Sequence, residues 1–187
     1  MMGPLNLIVV ACWAVFIVVW AITSTQAKAS VSRGLNSAGV IWRIAVFILI
    51  AGVAVGIRRG WIPRPAPFPY AVQLMGAPLV VAGIGFAIWA RFTLGKNWGM
   101  PMTLRENPEL VTGGPYAFVR HPIYTGIIFA MLGTGLVFGA WYFIVLVVAF
   151  GYFLISTREE EKDMVQHFPE AYPAYVARTK RLIPFVY

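Results

Sequence analysis

The stretch "IYTGIIFAMLGTGLVFGAWYFIVLVVAFGYFLIS", residues 123–156, consists of two apolar runs with almost nothing between them. The first run extends from Ile123 to Val137 and the second from Ala140 to Ser156, so only Phe138 and Gly139 separate them. A helix needs roughly 20 apolar residues to cross a bilayer core of about 30 Å, and each run approaches that length. The stretch therefore predicts two transmembrane helices joined in a tight hairpin.

Three more apolar runs lie upstream, at Leu5 to Thr23, Gly39 to Ile57 and Tyr70 to Phe92. The segment "QAKAS" after the first run is similar to a signal-peptidase site. However, the run has no basic segment before it and is longer than the core of a signal peptide, so we expect a retained helix. The sequence predicts an all-α, polytopic membrane protein with about five transmembrane helices in a single domain, residues 1–187.

The composition agrees with a membrane protein and argues against other classes. Of the 187 residues, 59% are hydrophobic and 12% are charged, whereas soluble domains carry about 25% charged residues. The net charge of +8 could suggest nucleic acid, but the basic residues lie between apolar runs and do not form one polar domain. Cys12 is the only cysteine, so we expect no disulfide within the chain and no metal site built on thiolates.

The distribution of lysine and arginine predicts the orientation. With five spans the two termini lie on opposite sides, and twelve basic residues then fall on the C-terminal side against three, Arg58, Arg59 and Arg64, on the other. The positive-inside rule places the C-terminal side in the cytoplasm and the N-terminus outside. We therefore expect the long loop up to Arg120 and the polar, partly helical tail from Thr157 to face the cytosol together.

The first polar feature on that face is the segment Arg120-His121-Pro122, which opens the fourth apolar run. Pro122 suits the first turn of a helix because its missing N–H is not needed there. Free backbone N–H groups at this helix start, next to Arg120, would attract an anionic group. The alternative is that Arg120 only reaches towards the membrane surface and that His121 is an ordinary interfacial residue.

Two further polar features follow the fifth run. The segment "STREEEKD" places three glutamates, residues 159–161, near the membrane surface; they could hold ribose hydroxyls or an ammonium group, or form an ordinary solvated helix face. In the tail, Phe168, Tyr172 and Tyr175 recur at spacings of four and three, so they share one face of a helix. Such rings suit a sulfonium or an adenine ring, although they are also typical of packing or of an interface belt.

The order of these features resembles the isoprenylcysteine carboxyl methyltransferase family of integral membrane methyltransferases, with the phospholipid N-methyltransferases as more distant relatives. The resemblance covers about Phe92 to Tyr187. It includes "LGKNW" (residues 94–98), "ELVTGGPYAFVRHPIYTG" (109–126), "REE" (158–160) and the aromatic tail through Pro184. It implies that S-adenosylmethionine is the methyl donor, leaving S-adenosylhomocysteine as product, and that it binds in a cytosol-facing pocket.

The resemblance also implies roles for individual residues by their position in these motifs. The residues that would bind a carboxylate or shape the reaction centre are Arg120, Arg158, Glu159 and Glu160. Those expected to bind the cofactor are Tyr116, Val119, His121, Pro122, Tyr124, Glu160, Phe168, Tyr172 and Tyr175. Weaker candidates, beside a substrate entrance from the lipid, are Arg91 and Asn97.

The chemistry of methyl transfer favours one kind of acceptor. A carboxylate is already ionised at pH 7 and needs only a cation to orient it, which arginine supplies bidentately. An amine would have to lose a proton, with His121 or a glutamate as base. An arginine-rich pocket with one histidine therefore favours carboxyl O-methylation of a lipophilic acceptor of the isoprenylcysteine type, and N-methylation of an ethanolamine phospholipid is the alternative.

A non-catalytic membrane transporter or assembly factor is the alternative from another class. A transporter should carry ionisable groups inside its spans, and here the charged residues within the predicted spans are Arg43 and Arg91, each close to one end of its span. We therefore expect an enzyme. Eukaryotic members of the family that it resembles act on prenylated proteins, and nothing in this sequence indicates such a partner, so we expect a prokaryotic protein of the inner membrane. Its expected partners are membrane lipid and a lipid-like or lipophilic small-molecule substrate, without nucleic acid and without an obligate protein partner.

Overall fold

The computed structural model describes residues 3–24, 30–31, 66–98, 104–105 and 109–183, together with isolated residues between 44 and 63. The helices in these ranges are α1 Pro4–Ser24, α2 Tyr70–Leu94, α3 Pro122–Phe138, α4 Trp141–His167 and α5 Ala171–Arg178. Two 3₁₀ turns cover Gly95–Asn97 and Gly114–Ala117. Two short strands, β1 Ser30–Val31 and β2 Leu104–Arg105, pair antiparallel, with Ser30 opposite Arg105. The described part of the chain is thus almost wholly helical.

Three of the described helical segments are long and apolar enough to cross a membrane, namely Pro4–Thr23, Tyr70–Asn97 and Trp141–His167. The apolar helix α3 is shorter, with 17 residues. These lengths and compositions are those of an integral membrane protein. The predicted second span, Gly39 to Ile57, lies mostly outside the described residues, so the total of five spans stays a prediction.

The helix α4 extends well past its predicted end. The apolar run stops at Ser156, but the helix continues to His167. Residues 157–167 include Glu, Lys, Met and Gln, which are good helix formers, and no Gly or Pro occurs before Pro169. The end of a hydrophobic run marks the edge of the apolar region and not the end of the helix. The three glutamates 159–161 therefore stand on the helix itself, each turned about 100° from the one before.

The helices α2 and α3 touch each other backbone to backbone at two levels. A Cβ added at Gly83 would lie 2.6 Å from the carbonyl oxygen of Gly126 and from the backbone nitrogen of Ala130. Two turns away, a Cβ at Gly76 would lie 2.7 Å from the carbonyl oxygen of Gly133. Small residues allow helix backbones to approach closely in a membrane, where van der Waals packing drives helix association. This contact fixes where the start of α3 stands relative to the rest of the bundle.

Gly83→Ala is expected to lower the melting temperature of the detergent-solubilised protein strongly, because backbone atoms of α3 cannot move aside for the new methyl group. Overpacking of this kind costs about 1–3 kcal/mol or more. Gly85→Ala is the matched control on the same helix, since nothing lies within 4 Å of its added Cβ. That change should be neutral or slightly stabilising, because alanine is the better helix former. Equal melting temperatures for the two variants would contradict the close contact.

The helix α1 is attached to the bundle by polar contacts at two heights. In its middle, the Trp13 indole N–H donates to the Thr134 hydroxyl of α3 over 3.0 Å. At its end, the Arg91 guanidinium donates to the carbonyl oxygens of Thr23 (2.6 Å) and Gly95 (2.8 Å). Arg91 is 2% exposed and lies over the ring of Trp98, 4.6 Å from its centre. A cation near a helix C-terminus is stabilising because it interacts with the partial negative charge there. Arg91 therefore links the C-terminal ends of α1 and α2.

Candidate active site

The C-terminal segment of the chain folds back onto the start of α3. The backbone at Val119 pairs in parallel with that at Lys180. The hydrogen bonds run from Arg120 N–H to Lys180 O (2.8 Å), from His121 N–H to Arg181 O (3.1 Å) and from the Thr125 hydroxyl to Leu182 O (2.5 Å). We expected free N–H groups at this helix start, but those of Arg120 and His121 donate to the tail. The tail is thereby a structural part of the site.

Glu161 lies at the centre of the cluster that these segments form. Its Oε1 accepts a hydrogen bond from Arg120 Nε over 2.7 Å, and its Oε2 accepts two from Arg181, over 2.6 and 3.0 Å. The Arg120 guanidinium also donates to the Thr179 carbonyl oxygen over 2.6 Å. The side chains of Arg120 and Glu161 are only 8% and 12% exposed. One carboxylate thus links α4, the start of α3 and the tail, and its charge is matched by two arginines.

Glu160, the next residue on α4, has partners of another kind. Its Oε1 accepts a hydrogen bond from the Tyr124 phenol over 2.5 Å, and its Oε2 lies 3.4 Å from His121 Nδ1. The Tyr124 ring stacks on Phe153, with the ring centres 4.5 Å apart. The Glu160 side chain is 26% exposed. This carboxylate therefore faces a phenol and an imidazole, and it is more accessible than that of Glu161.

His121 lies between the two carboxylates. Its Nδ1 faces Glu160 and its Nε2 faces Glu161, each over 3.4 Å. Burial lowers the pKa of His121, but the hydrogen bonds and charges of the two glutamates raise it by more, so its pKa lies above the ordinary value. Because a protonated imidazole is a donor at both nitrogens, the cationic form satisfies both carboxylates at once.

The raised pKa of His121 predicts how stability depends on pH. A group whose pKa is higher in the folded state contributes stability that is complete below its unfolded pKa, about 6.5, and is lost as pH rises through the folded value. The melting temperature of the detergent-solubilised protein should therefore fall as pH is raised from about 6.5. His121→Asn should flatten that dependence, as measured by thermal unfolding between pH 6 and pH 8.5.

His167→Gln is the control, since His167 is the other of the two histidines and is exposed at the end of α4. It should leave the slope of melting temperature against pH unchanged. A slope that persists in His121→Asn, or disappears in His167→Gln, would assign the titration to another group.

The aromatic stripe of the tail packs inwards. Tyr172 and Tyr175 are each 3% exposed, and their ring centres lie 5.9 Å apart, edge to face. The Tyr175 phenol donates to the Tyr116 carbonyl oxygen over 2.6 Å, and burial raises the pKa of Tyr175 to about 12. Phe168 is half-buried, and its N–H donates to Met164 O at the end of α4. The Tyr175 hydrogen bond attaches α5 to the turn that precedes α3.

The structure brings most of the predicted site residues together at the start of α3. Val119 and Pro122, which flank Arg120 and His121 in the sequence, are buried. Arg158 and Glu159 lie apart from it: both are exposed, and Glu159 pairs with Lys162 over 2.8 Å. Arg158 stands two positions from Glu160, which is about 200° around the helix. At the predicted lipid entrance, the Asn97 amide donates to Glu109 over 3.3 Å.

Sequence reasoning did not assign a site role to Arg181, and it considered Glu161 only as one of three glutamates that could hold ribose hydroxyls or an ammonium group. Arg181 is one of several basic residues in the tail, and no motif distinguishes it; Glu161 is the third of three identical residues. Their pairing depends on the return of the tail to α3. The resemblance implies that the tail and the start of this helix share one pocket, but no pattern in the sequence indicates which side chains pair. Within the described ranges, no group of three or more His, Cys, Asp or Glu residues could hold a metal ion.

Comparison with known proteins gives a consistent set of relatives. The model of the isoprenylcysteine carboxyl methyltransferase family matches residues 75–166, which is 92 of the 187 residues. The human protein-S-isoprenylcysteine O-methyltransferase is 30% identical over 122 residues, or 62% of this chain and 42% of the human protein. The methanethiol S-methyltransferase of Pseudomonas sp. (strain GM41(2012)) is 28% identical over 66% of this chain and 52% of its own length.

Two further matches extend over more of the chain. A cobalt-zinc-cadmium resistance protein of Cupriavidus metallidurans is 27% identical over 77% of this chain and 62% of its own length. The solved structure of a eukaryotic intramembrane Ras methyltransferase, an isoprenylcysteine carboxyl methyltransferase, superposes with a TM-score of 0.61 at 19% identity. That superposition covers 95% of this chain and 63% of the other, and it shows a shared fold. The chain spans about two fifths to three fifths of the length of these curated relatives.

Proposed function

The chain belongs to the isoprenylcysteine carboxyl methyltransferase family, and on that premise we propose that it transfers the methyl group of S-adenosylmethionine to a lipophilic acceptor at the membrane. The acceptor group we propose is a carboxylate, as in the carboxyl methylation that the family's name describes. The cofactor binds where α3, α4 and the tail meet, on the cytosolic side that the basic residues predict.

The observation that carries the proposal is the difference between two neighbouring carboxylates. The charge of Glu161 is matched by Arg120 and Arg181. In the described part of the chain, Glu160 instead has hydrogen-bonding partners in the Tyr124 phenol and the His121 ring, and its side chain is 26% exposed. Glu160 is therefore the carboxylate with capacity left for the ribose hydroxyls or the ammonium group of a cofactor.

The other residues of the cluster hold α3, α4 and the tail in the arrangement that the site requires. Methyl transfer proceeds by in-line displacement, so holding the two reactants in the correct geometry supplies most of the catalysis. Arg120 acts through Glu161, which fixes α4 against the start of α3. The aromatic residues Tyr172 and Tyr175 hold the tail in place, since both are buried against the cluster. The Arg158 side chain is exposed and lies on the face of α4 opposite to Glu160. The geometry of the cluster therefore gives no support to the carboxylate-binding role predicted for Arg158, and that role stays a prediction.

The pKa of His121 bears on the acceptor. An amine acceptor needs a base to take its proton, and His121 would be the base nearest to Glu160. Its pKa is raised by the two glutamates, so near neutral pH it is protonated to a greater extent than an ordinary histidine and is less available to accept a proton. A carboxylate, which is ionised at pH 7, needs no base. The cluster therefore favours an acid over an ethanolamine lipid.

A thiol acceptor is the second candidate. It is favoured by the similarity to a methanethiol S-methyltransferase, which covers 66% of this chain. A thiol has a pKa of about 8.5, so roughly a few per cent of it is thiolate near pH 7, and the thiolate is a strong nucleophile.

The test is cofactor binding followed by an acceptor screen. Protein purified in detergent and in lipid nanodiscs is titrated calorimetrically with S-adenosylmethionine and S-adenosylhomocysteine. It is then incubated with isotope-labelled cofactor and an S-prenylated cysteine, an alkyl thiol or phosphatidylethanolamine. Label transferred to the prenylated acid supports the proposal, and transfer only to the thiol supports the second candidate. Absence of binding at millimolar cofactor in both preparations would contradict both.

A further inference from the structure

Ser156 is a buried hydroxyl that none of the roles above uses. It is 0% exposed, and within the described part of the chain its Oγ has no hydrogen-bond partner. A buried polar group without a partner costs free energy. Its neighbour Thr157 is buried just as deeply, but the Thr157 hydroxyl donates to the Leu154 carbonyl oxygen over 3.1 Å. Ser156 thus stands out from a residue of the same chemistry beside it.

Its place on α4 puts Ser156 within the proposed site. It is three residues after Phe153 and four residues before Glu160, so the three share one face of the helix. The Tyr124 ring stacks on Phe153 and its phenol reaches Glu160, so the Tyr124 side chain runs along this face past Ser156. Four residues of helix correspond to about 6 Å along the axis. Ser156 therefore lies beside the Tyr124 side chain, and it is nearer than Glu160 to the apolar part of α4.

The cations near this face are engaged elsewhere. Arg120 and Arg181 both pair with Glu161, and Arg158, two positions from both Ser156 and Glu160, projects from the exposed side of the helix. A lipophilic acceptor approaches from the bilayer, so its polar end reaches the level of Ser156 before that of Glu160. On this face of α4, the described donor available to it at that level is the Ser156 hydroxyl.

We infer that Ser156 donates a hydrogen bond to the carboxylate of a lipophilic acid and orients it for methyl transfer. The Tyr124 ring moves aside as the acid enters, since its contacts with Phe153 and Glu160 place it along the same face of α4. In the transfer itself, a carboxylate oxygen forms a bond to the methyl carbon while the carbon–sulfur bond breaks and its electron pair stays on sulfur. The sulfonium becomes a neutral thioether, and Ser156 keeps its proton. This inference rests on the proposed function.

The test is the affinity of an N-acetylated S-farnesylcysteine for the protein saturated with S-adenosylhomocysteine, measured calorimetrically in lipid nanodiscs. Ser156→Ala should weaken that affinity about tenfold or more, the loss expected for one hydrogen bond to a charged group. It should leave the affinity for S-adenosylhomocysteine unchanged and the melting temperature equal or higher, because a buried polar group without a partner is removed. Thr157→Val, the matched control, should leave the affinity for the farnesylated acid unchanged.

The other outcomes separate the inference from the function on which it rests. Equal affinity of the wild type and Ser156→Ala for the acid overturns the inference, and so does an equal loss in Thr157→Val. A wild-type protein that binds S-adenosylhomocysteine but not the acid also overturns it, while cofactor binding stands. A wild type that binds no S-adenosylhomocysteine contradicts the proposed function itself.

Discussion

Glu161→Gln is expected to destabilise the protein by about 3–5 kcal/mol, the usual cost of removing one partner from a buried ion pair. The substitution keeps the shape of the side chain but leaves Arg120 and Arg181 without the carboxylate that balances them. Because this group holds the tail to the start of α3, we expect the tail to detach as well. Thermal unfolding in detergent measures the loss of stability, and limited proteolysis of the tail measures the detachment.

Glu159→Gln is the matched control, since it makes the same chemical change two residues earlier on the same helix. Glu159 and its partner Lys162 are 48% and 67% exposed, and exposed pairs of this kind contribute about 0–1 kcal/mol. A melting temperature lowered equally by the two variants would show that the Glu161 cluster is not a structural centre.

Glu160→Gln is expected to weaken binding of S-adenosylmethionine by about tenfold to a hundredfold without unfolding the protein. The loss corresponds to about 1.5–3 kcal/mol for hydrogen bonds that involve a charged acceptor. The glutamine oxygen can still accept the Tyr124 phenol, so the packing of α3 on α4 should persist. Calorimetric titration with the cofactor measures the affinity, and circular dichroism with thermal unfolding verifies the fold.

The same control, Glu159→Gln, should bind the cofactor as the wild type does, because Glu159 lies outside the cluster. Wild-type affinity in Glu160→Gln would remove Glu160 from the cofactor site. Loss of affinity in both variants would point to the overall charge of this surface instead.

The apolar runs predicted much of the helical structure because they reflect only the local hydropathy of the chain. The runs Leu5 to Thr23 and Tyr70 to Phe92 correspond closely to α1 and α2, and the hairpin runs to α3 and the first part of α4. The same criterion ended the fifth predicted span at Ser156, 11 residues before the end of α4 at His167. Helix propensity, and not hydropathy, carries α4 past the apolar region.

For the site, the sequence could identify the participating segments but not the partners. The order of the Arg-His-Pro segment, the glutamates and the aromatic tail already indicated a methyltransferase of this family. The role of Arg120 could not be foreseen in the same way. Its partners, Glu161 and Thr179, lie 41 and 59 residues away along the chain, and they meet it only because the tail returns to α3.

The three glutamates 159–161 show the difference between what residue order can indicate and what the packing of the chain determines. Composition and residue order are local properties, and they were enough to indicate a membrane protein, its apolar segments and a set of polar residues that resemble a methyltransferase. The packing of the helices and the tail is what turns Glu159 outward to Lys162, brings Glu160 to Tyr124 and His121, and places Glu161 between two arginines. Each step along a helix turns the side chain by about 100°, so chemically identical neighbours enter different surroundings once helices and tail are packed.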